Sequence, residues 1–324
     1  MARVLDLDPA TYQAHAIHGP GRTWAETNCY SDVIIELLHG MGFEPVAALA
    51  FTLTIDLDVD QWTFFKFHPA DVEDLYALGI YELAPWLPLA QHVEQHVAAG
   101  RPVLVELDSF FLPDTAGTAY KLEHVKSTVA VNAIDLQAGS MDYFHNQGFH
   151  HVGGQDFADV FQTGGLAHPR MLPPYIEFVK PLPRAQPLRG PALVEGSLQV
   201  LKRQLRRVPP VCPFGPFAAK LQADSGWLQT QDLAVFHAYS FATLRQYGAC
   251  FELAATYLQW LEDQGVQLSP APRLALTDIS TRTKALQFKL ARSMMRKRPL
   301  DLSSLGELAQ GWDAAMDELV RRFA

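Results

Sequence analysis

A periodic pattern of apolar residues marks the segment ETNCYSDVIIELLHGMGF, residues 26–43. Apolar side chains recur there at intervals of three and four, the spacing of one face of an α-helix. They are Val33, Ile34, Leu37, Leu38 and Met41. Gly40 and Gly42 predict where the helix stops, and Thr27 or Asn28 is placed to cap its first turn. The pattern therefore predicts an amphipathic helix with Cys29 in its first turn.

Shorter apolar runs predict strands in the first half of the chain. They cover residues 46–55, 62–67, 102–107, 127–135, 141–146 and 176–179. The segments 127–135 and 141–146 are separated by the turn sequence LQAG and predict a hairpin. Helical periodicity predicts two helices in the same half, at residues 69–78 and 89–98.

The second half of the chain has a different pattern. A proline-rich stretch, PLPRAQPLRGPAL at residues 181–193, predicts a linker or an extended connection. Helical patterns follow at residues 194–207, 231–263, 277–297 and 302–323. The predicted fold class is therefore α+β, with a mixed domain over residues 1–185 and a helical domain over residues 186–324.

Composition narrows the class of protein. Hydrophobic residues make up 48% of the 324 residues, enough for one large core or two ordinary ones. The longest apolar run, VAALAFTLTI, is too short to cross a bilayer, and MARVLDLDPATYQ lacks the apolar core of a signal peptide. We therefore expect a cytoplasmic protein that binds no membrane. The net charge of -9 argues against nucleic-acid binding.

The cysteines carry the first candidate chemistry. Cys29, Cys212 and Cys250 form no CxxC pair and are odd in number, so neither a disulfide framework nor a zinc ribbon is predicted. In the first turn of a helix, unpaired N–H groups and the helix dipole favour a thiolate over a thiol. Cys29 is then either a nucleophile or a small buried apolar residue.

A catalytic thiolate needs a histidine to hold its proton and a carboxylate or amide to orient the imidazole. His124 precedes the strand 127–135 and Asn146 ends the next strand, so the hairpin brings both to one end of the sheet. We expect them to face Cys29 as base and orienting group. Asp135 is a second candidate for the orienting group, although it lies at the other end of its strand. Alternatively, His124 is a loop histidine bonded to a neighbouring carboxylate.

Six stretches of the sequence carry a resemblance to a known family. They read TNCYSDVIIELLHGMGFEPVAALAFTL, QWTFFKF, ELDSFFLPDTAGTAY, EHVKSTVAVNAID, YFHNQGFH and FHAYSFATLRQYGACFELAATYLQWL. Through them nearly the whole chain resembles the bacterial domain-of-unknown-function family numbered 1839. The N-terminal region is more distantly similar to the papain-like acyltransferase of butirosin biosynthesis. Enzymes of that kind often begin the histidine strand with the histidine itself, where this chain has Ser127, three residues after His124.

The resemblance implies a papain-like cysteine hydrolase or transferase fold for the N-terminal domain and an aminoacyl or acyl transferase activity. Cys29 would accept the acyl group from a carrier protein's phosphopantetheine thioester, and an acceptor amine would release it, with His124 taking the proton of the amine. The pantetheine arm is then a substrate, and no bound cofactor is expected. Members of the family tend to be encoded near small carrier proteins and amino acid:carrier-protein ligases, which makes both the expected partners.

Further polar residues have supporting roles in this interpretation. The backbone N–H of Cys29 and the side chain of Asn28 are expected to stabilise the oxyanion. The ammonium group of an aminoacyl donor needs a carboxylate nearby, and the stretch ELDSFFLPDT offers Glu106, Asp108 and Asp114. Carboxylates in loops are otherwise turn formers or helix caps.

Basic residues in the second half are candidates for docking an acidic carrier protein. They form two clusters, Lys202, Arg203, Arg206 and Arg207, and Arg292, Arg296, Lys297 and Arg298. The alternative is that both clusters are solvated helix faces. Arg245 falls inside an apolar helix pattern, where a charge is either functional or paired with a residue such as Glu252 or Asp232.

Two rival functions remain open on the sequence. A papain-like amidase or peptidase would share the acyl-enzyme and use water as the acceptor. A non-catalytic protein would dock the carrier and use Cys29 only for packing. The three histidines of HNQGFHH, at positions 145, 150 and 151, have neither a helical spacing nor a matching acidic ligand, so no metal is predicted.

Overall fold

The structure, a computed structural model, describes residues 1–24, 27–163 and 174–323. Its strands are β1 (Ala2–Arg3), β2 (Leu57–Asp58), β3 (Gln61–Trp62), β4 (Leu78–Glu82), β5 (Val103–Asp108), β6 (Lys126–Asp135), β7 (Ser140–His145), β8 (Gly148–Gly153) and β9 (Ile176–Pro181). Its helices are α1 (Cys29–Gly40), α2 (Pro69–Tyr76), α3 (Leu89–Ala98), α4 (Gly154–Val160), α5 (Gly190–Leu205), α6 (Phe214–Leu228), α7 (Leu233–Ser240), α8 (Gln246–Asp263), α9 (Ala271–Arg296) and α10 (Ser304–Phe323). The chain is therefore α+β, as predicted, with an antiparallel sheet in its N-terminal region and a helical C-terminal region.

The chain divides into two units, and neither unit is continuous in sequence. The first comprises Met1–Gly19, Asn28–Pro45 and Pro69–Pro187, and the second comprises Pro20–Thr27, Val46–His68 and Leu188–Ala324. Two early segments, Pro20–Thr27 and Val46–His68, thus belong to the same unit as the C-terminal helices. A single boundary near residue 185 does not describe this division.

One antiparallel sheet organises the first unit, with strand order β4-β9-β5-β6-β7-β8 and with β1 paired to the end of β6. Successive side chains of a strand point to opposite faces. Val105 and Tyr143 point into a buried core that includes Val93 of α3. The neighbouring Phe144 points the other way, where its ring would lie 2.9 Å from a Cβ placed on Gly40 of α1. The helix that carries Cys29 therefore covers the face opposite α3.

Several predicted elements of this unit are confirmed. The helix predicted from residues 26–43 is α1, and those predicted at residues 69–78 and 89–98 are α2 and α3. The predicted hairpin is β6 and β7, with Asp135 paired to Ser140 across the turn. Local periodicity was sufficient for α2 and α3 because each buries one stripe of side chains. The elements α1, β6 and β7 are buried at nearly every position, and the spacing of apolar residues and the turn sequence were sufficient there.

The strands predicted at residues 46–55 and 62–67 are wrong. The first segment is a 3-10 helix, Pro45–Thr54, and β3 covers only the first residue of the second segment. Side chains of the 3-10 helix are buried at all positions but the last, so the run has no alternation that distinguishes a strand from a helix. Ser197 and Cys250 donate hydrogen bonds to its carbonyls, which ties the run to the helices of the second unit.

The second unit is mainly helical and also contains the short β2–β3 pair. The helices predicted at residues 194–207, 277–297 and 302–323 are α5, α9 and α10, whereas α6 had no predicted counterpart. The long pattern predicted at residues 231–263 is interrupted, because a π-helical turn at Phe241–Arg245 joins α7 to α8. None of the helices in the described ranges is both long enough and apolar enough to cross a membrane.

Candidate functional site

Cys29 is the first residue of α1 and is half-buried. The preceding residue, Asn28, caps the helix, since its side-chain oxygen accepts a 2.8 Å hydrogen bond from the backbone N–H of Ser31. The sulfur of Cys29 therefore lies at a capped helix N-terminus, where the N–H groups of the first turn favour negative charge.

A buried carboxylate ties the first turn of α1 to the sheet. Tyr30 donates a 3.2 Å hydrogen bond to Oε2 of Glu177 on β9, and Tyr175 donates a 2.9 Å hydrogen bond to Oε1. Burial and the Glu177 carboxylate raise the pKa of Tyr175 to about 12, so its hydroxyl stays protonated as a donor. Glu177 is paired with Leu104 of β5. The end of α1 that carries Cys29 thus lies over β9 and β5.

His124 lies beside the last residue of β5. Its Nδ1 is 2.6 Å from Oδ2 of Asp108, and its ring stacks on Phe110 with the centroids 4.2 Å apart. The His124 side chain is 67% exposed, so the imidazole is held by its partners yet open to solvent. His124 and Asp108 border a pocket of about 330 Å³, which is also lined by Glu106 and Lys126, an ion pair at 2.8 Å.

The position of β5 in the sheet shows where Cys29 lies relative to the imidazole of His124. Alternation places Glu106 and Asp108 on the face opposite Leu107, which belongs to the core beneath α3, and therefore on the face that α1 covers. The antiparallel pairing of β5 with β9 brings the end of β5 beside the start of β9, where α1 begins. Cys29 and His124 thus share one face and one end of the sheet. Within the described residues, no hydrogen bond joins them directly.

The predicted orienting groups lie elsewhere. Asn146 is the first residue of the two-residue turn between β7 and β8 and has a φ of 49°. In the described part of the chain it forms no hydrogen bond with His124, whose imidazole contacts Asp108 instead. Asp135 is at the far end of β6, where it pairs with the N-terminal ammonium of Met1 at 3.0 Å. The carboxylate assigned to substrate binding, Asp108, is therefore the one that holds the imidazole.

Asp114 belongs to a buried cluster on the other face of the sheet. Its carboxylate accepts hydrogen bonds from the Tyr143 hydroxyl and from Nδ1 of His145, the latter at 2.6 Å. Burial acts to raise the pKa of Asp114, but the hydrogen bond and charge of His145 outweigh it and hold that pKa below its ordinary value. His145 is fully buried, and its Nε2 has no hydrogen-bond partner among the described residues. Its alternation with Tyr143 and Met141 is the sequence signal that places His145 in the core.

A second buried cluster holds the N-terminal segment on α1. The side chains of His18, Asp32 and Glu36 are fully buried, with Nε2 of His18 3.1 Å from Asp32 and its Nδ1 in contact with Glu36. Burial acts to lower the pKa of His18, but the two carboxylates raise it above its ordinary value. The sequence signal here is a pair of acids four residues apart on a helix with an otherwise apolar face. No group of three or more His, Cys, Asp or Glu in the described ranges is arranged to hold a metal ion.

The candidate docking residues lie on helices of the second unit. Lys202 and Arg203 are in the last turn of α5, and Arg206 and Arg207 follow it. All of these but Arg203 are exposed, as are the four basic residues at the end of α9. Arg245 ends the π-helical turn, with its guanidinium carbon 5.2 Å from the centre of the Phe241 ring.

The fold and the site define an α+β protein in which a cysteine is the first residue of a helix that packs on an antiparallel sheet. Family models match nearly the whole chain, the DUF1839 N-terminal domain over residues 13–181 and the DUF1839 C-terminal domain over residues 190–321. The chain belongs to the DUF1839 family, as its motifs indicated. A search of curated proteins gave no match.

Proposed function

We propose that the protein is a cytoplasmic, papain-like cysteine acyltransferase that takes an aminoacyl group from the phosphopantetheine thioester of a carrier protein. The observation that carries this proposal is the Asp108–His124 pair, on the face and at the end of the sheet where Cys29 begins α1. A histidine whose Nδ1 is held by a carboxylate has its Nε2 available as a base. The family resemblance supplies the substrate class.

In the first half of the reaction, the sulfur of Cys29 attacks the thioester carbonyl and its proton passes to Nε2 of His124. The backbone N–H of Cys29 and the side-chain NH2 group of Asn28 are the proposed donors to the oxyanion, and the oxygen of the Asn28 side chain is engaged in the helix cap. Collapse of the tetrahedral intermediate breaks the thioester bond, and the pantetheine thiol leaves with the proton from His124.

In the second half, an acceptor amine attacks the acyl-enzyme and gives its proton to His124. The carbon–sulfur bond to Cys29 breaks, an amide is formed, and the sulfur regains its proton. Asp108 takes the orienting role that the sequence assigned to Asn146, because it is Asp108 that contacts the imidazole.

The pocket suits a donor with a free amino group. Three carboxylates were predicted to hold an ammonium group. Asp114 is engaged by Tyr143 and His145 on the opposite face, and Asp108 holds His124. The role therefore falls to Glu106, which lines the pocket and would exchange its exposed partner Lys126 for the ammonium group. The exposed basic residues at the end of α5 and directly after it, Lys202, Arg206 and Arg207, are the proposed docking surface for the acidic carrier.

Intact-mass spectrometry tests the proposal on the full chain mixed with an aminoacyl-loaded carrier protein. We expect the wild type to gain the mass of one aminoacyl group, and Cys29→Ser to gain none in the same interval. Cys212→Ser is the matched control and should load like the wild type. Burial raises the pKa of the Cys212 thiol to about 11, which keeps it protonated and unreactive.

Two results would favour the rival functions. An adduct that decays at one rate with and without added amines indicates the amidase or peptidase. A wild type that binds the loaded carrier but never gains mass contradicts catalysis and leaves the carrier-binding protein. In that case Lys202→Glu together with Arg206→Glu, both exposed, should abolish binding, while Cys29→Ala should not.

A further inference from the structure

The second unit contains a pocket of about 410 Å³ whose lining residues all belong to that unit. One wall is the β2–β3 hairpin over residues 58–64, and the other comes from Phe241 and Ala242 of the π-helical turn and from Gln246, the first residue of α8. A cavity of this volume has the size of a small-molecule site. A π-helical turn is rare and is often found at functional sites. The pocket is therefore a candidate binding site.

Three exposed apolar side chains line this pocket. Val59 is 87% exposed, Phe64 is 45% exposed and Phe241 is 41% exposed. Large apolar side chains that are grouped and open to solvent are typical of a surface that binds a ligand. The face of an aromatic ring also attracts a cation. The pocket thus offers apolar contact to a ligand together with a preference for positive charge.

Two carboxylates of the lining have no partner. Asp58 and Asp60 are exposed, and neither side chain forms a hydrogen bond or an ion pair with a described residue. Among the described residues that line the pocket, none is a lysine or an arginine. Arg245 is not part of this lining, and its guanidinium carbon lies 5.2 Å from the centre of the Phe241 ring. The lining therefore carries negative charge that no lining side chain offsets.

Two buried residues of the lining have polar groups without partners. Trp62 is 2% exposed and Gln246 is 3% exposed. Nε1 of Trp62 and Oε1 of Gln246 form no hydrogen bond with a described residue. Buried polar groups in this state are rare, and next to a cavity they indicate that a bound molecule or water completes their hydrogen bonding. They are a second indication, independent of the charges, that the pocket holds a ligand.

We infer that this pocket binds a small organic ammonium ion, an amine with an apolar or aromatic substituent. The carboxylates of Asp58 and Asp60 pair with the ammonium group, and the substituent packs against Val59, Phe64 and Phe241. The ring faces add to the attraction for the positive charge. The carboxylates repel an anion, and a bare inorganic cation gains nothing from the apolar side chains. The site is independent of acyl transfer.

Calorimetry and thermal unfolding on the full chain test the site at constant ionic strength. The probes are phenethylammonium, its neutral analogue 2-phenylethanol and the ammonium ion. We expect phenethylammonium to bind saturably, with a Kd of about 1 mM or lower, and to raise Tm. The alcohol lacks the charge and should bind about tenfold more weakly or worse. The ammonium ion lacks the apolar part and should show no saturable binding.

Asp58→Asn together with Asp60→Asn should weaken the affinity for phenethylammonium about tenfold or more, because both anionic partners of the ammonium group are removed. The two residues are exposed and unpaired, so the double variant should unfold at the Tm of the wild type without ligand. Asp313→Asn together with Asp317→Asn is the matched control. It makes the same change in net charge at exposed positions of α10 outside the lining, and it should bind like the wild type.

Phe241→Leu tests the aromatic ring, since it keeps an apolar side chain and should weaken the affinity severalfold. Cys29→Ser should bind phenethylammonium like the wild type, and its failure to load would bear only on acyl transfer. The inference is overturned if phenethylammonium shows no saturable binding, if 2-phenylethanol binds as tightly, or if the double variant at Asp58 and Asp60 binds like its control.

Discussion

Oδ2 of Asp108 lies 2.6 Å from Nδ1 of His124 at the end of β5. A carboxylate at this distance fixes the tautomer that carries its proton on Nδ1 and leaves the lone pair on Nε2. Because the imidazole is 67% exposed, this lone pair is accessible to a substrate. The pair therefore has the geometry of a base and its orienting group, and it stands on the α1 side of the sheet.

His124→Gln and Asp108→Asn test that relationship. If His124 is the base, we expect the rate of aminoacyl loading on Cys29 to fall about 10²–10⁴-fold in His124→Gln. Asp108→Asn should lower the rate as well, since an amide no longer favours the proton on Nδ1. His151→Gln is the control, because His151 is also exposed and also lies 2.7 Å from an aspartate, Asp142. Equal rates in all three variants would remove His124 from the mechanism.

The His18 cluster predicts a loss of stability at alkaline pH. The pKa of His18 is raised in the folded protein by Asp32 and Glu36. Its stabilisation is therefore fully present below the unfolded pKa of about 6.5 and is lost as the pH rises through the folded pKa. Urea unfolding between pH 6 and pH 9.5 should show the free energy of unfolding decreasing with pH.

The variant His18→Gln separates this cluster from other titrating groups. It leaves two buried carboxylates without their cation, so we expect a cost of about 3–5 kcal/mol at pH 6. The decrease in stability above pH 6.5 should be shallower in the variant than in the wild type. Parallel pH profiles for the two proteins would show that His18 is not the group that titrates.

Asp114 predicts the opposite dependence of stability on pH, with a loss of stability at acidic pH. Its pKa is lowered in the folded protein, with His145 outweighing the effect of burial. The stabilisation is present above the unfolded pKa of about 3.9 and is lost as the pH falls through the folded pKa. Asp114→Asn should cost about 2 kcal/mol at pH 7 in urea unfolding, because a buried charged acceptor is lost. Its profile below pH 4 should be flatter than that of the wild type, and an unchanged acid profile would contradict the assignment.

For the variant Gly248→Ala, steric overlap and helix propensity predict opposite effects on stability, and we expect the steric effect to be the larger. A Cβ at this position of α8 would overlap the Trp24 ring, and it would also lie 3.0 Å from Thr283. Gly248→Ala should therefore destabilise the protein by about 1–3 kcal/mol, although alanine is the better helix former. Gly226→Ala in α6 meets nothing within 4 Å and should stabilise by about 0.5–1 kcal/mol. Thermal unfolding of both variants checks the contrast, and a stabilised Gly248→Ala would contradict this packing.

The sequence was least informative where contacts join distant segments. Nothing local distinguishes Asp108 from Glu106 or Asp114 as the partner of His124, because the choice depends on which strand lies beside the start of β6. The burial of Arg22 was likewise not predicted, since its surroundings come from α8 and α9, more than 200 residues later in the chain. The strand prediction for residues 46–55 was wrong for a related reason. A segment that is buried on all sides has no alternation of apolar and polar residues from which a strand or a helix could be predicted.

The sequence by itself determined α1 with Cys29 in its first turn, the β6–β7 hairpin, and the change from mixed to helical structure. These depend on periods of 3.6 and 2 that repeat over a few neighbouring residues. The tertiary structure decided that Asp108 rather than Asn146 holds His124, that Asp114 and His145 lie on the far face, and that Arg22 is buried beside Glu252. Those pairings follow from strand order and helix packing, which bring together side chains that no local pattern relates.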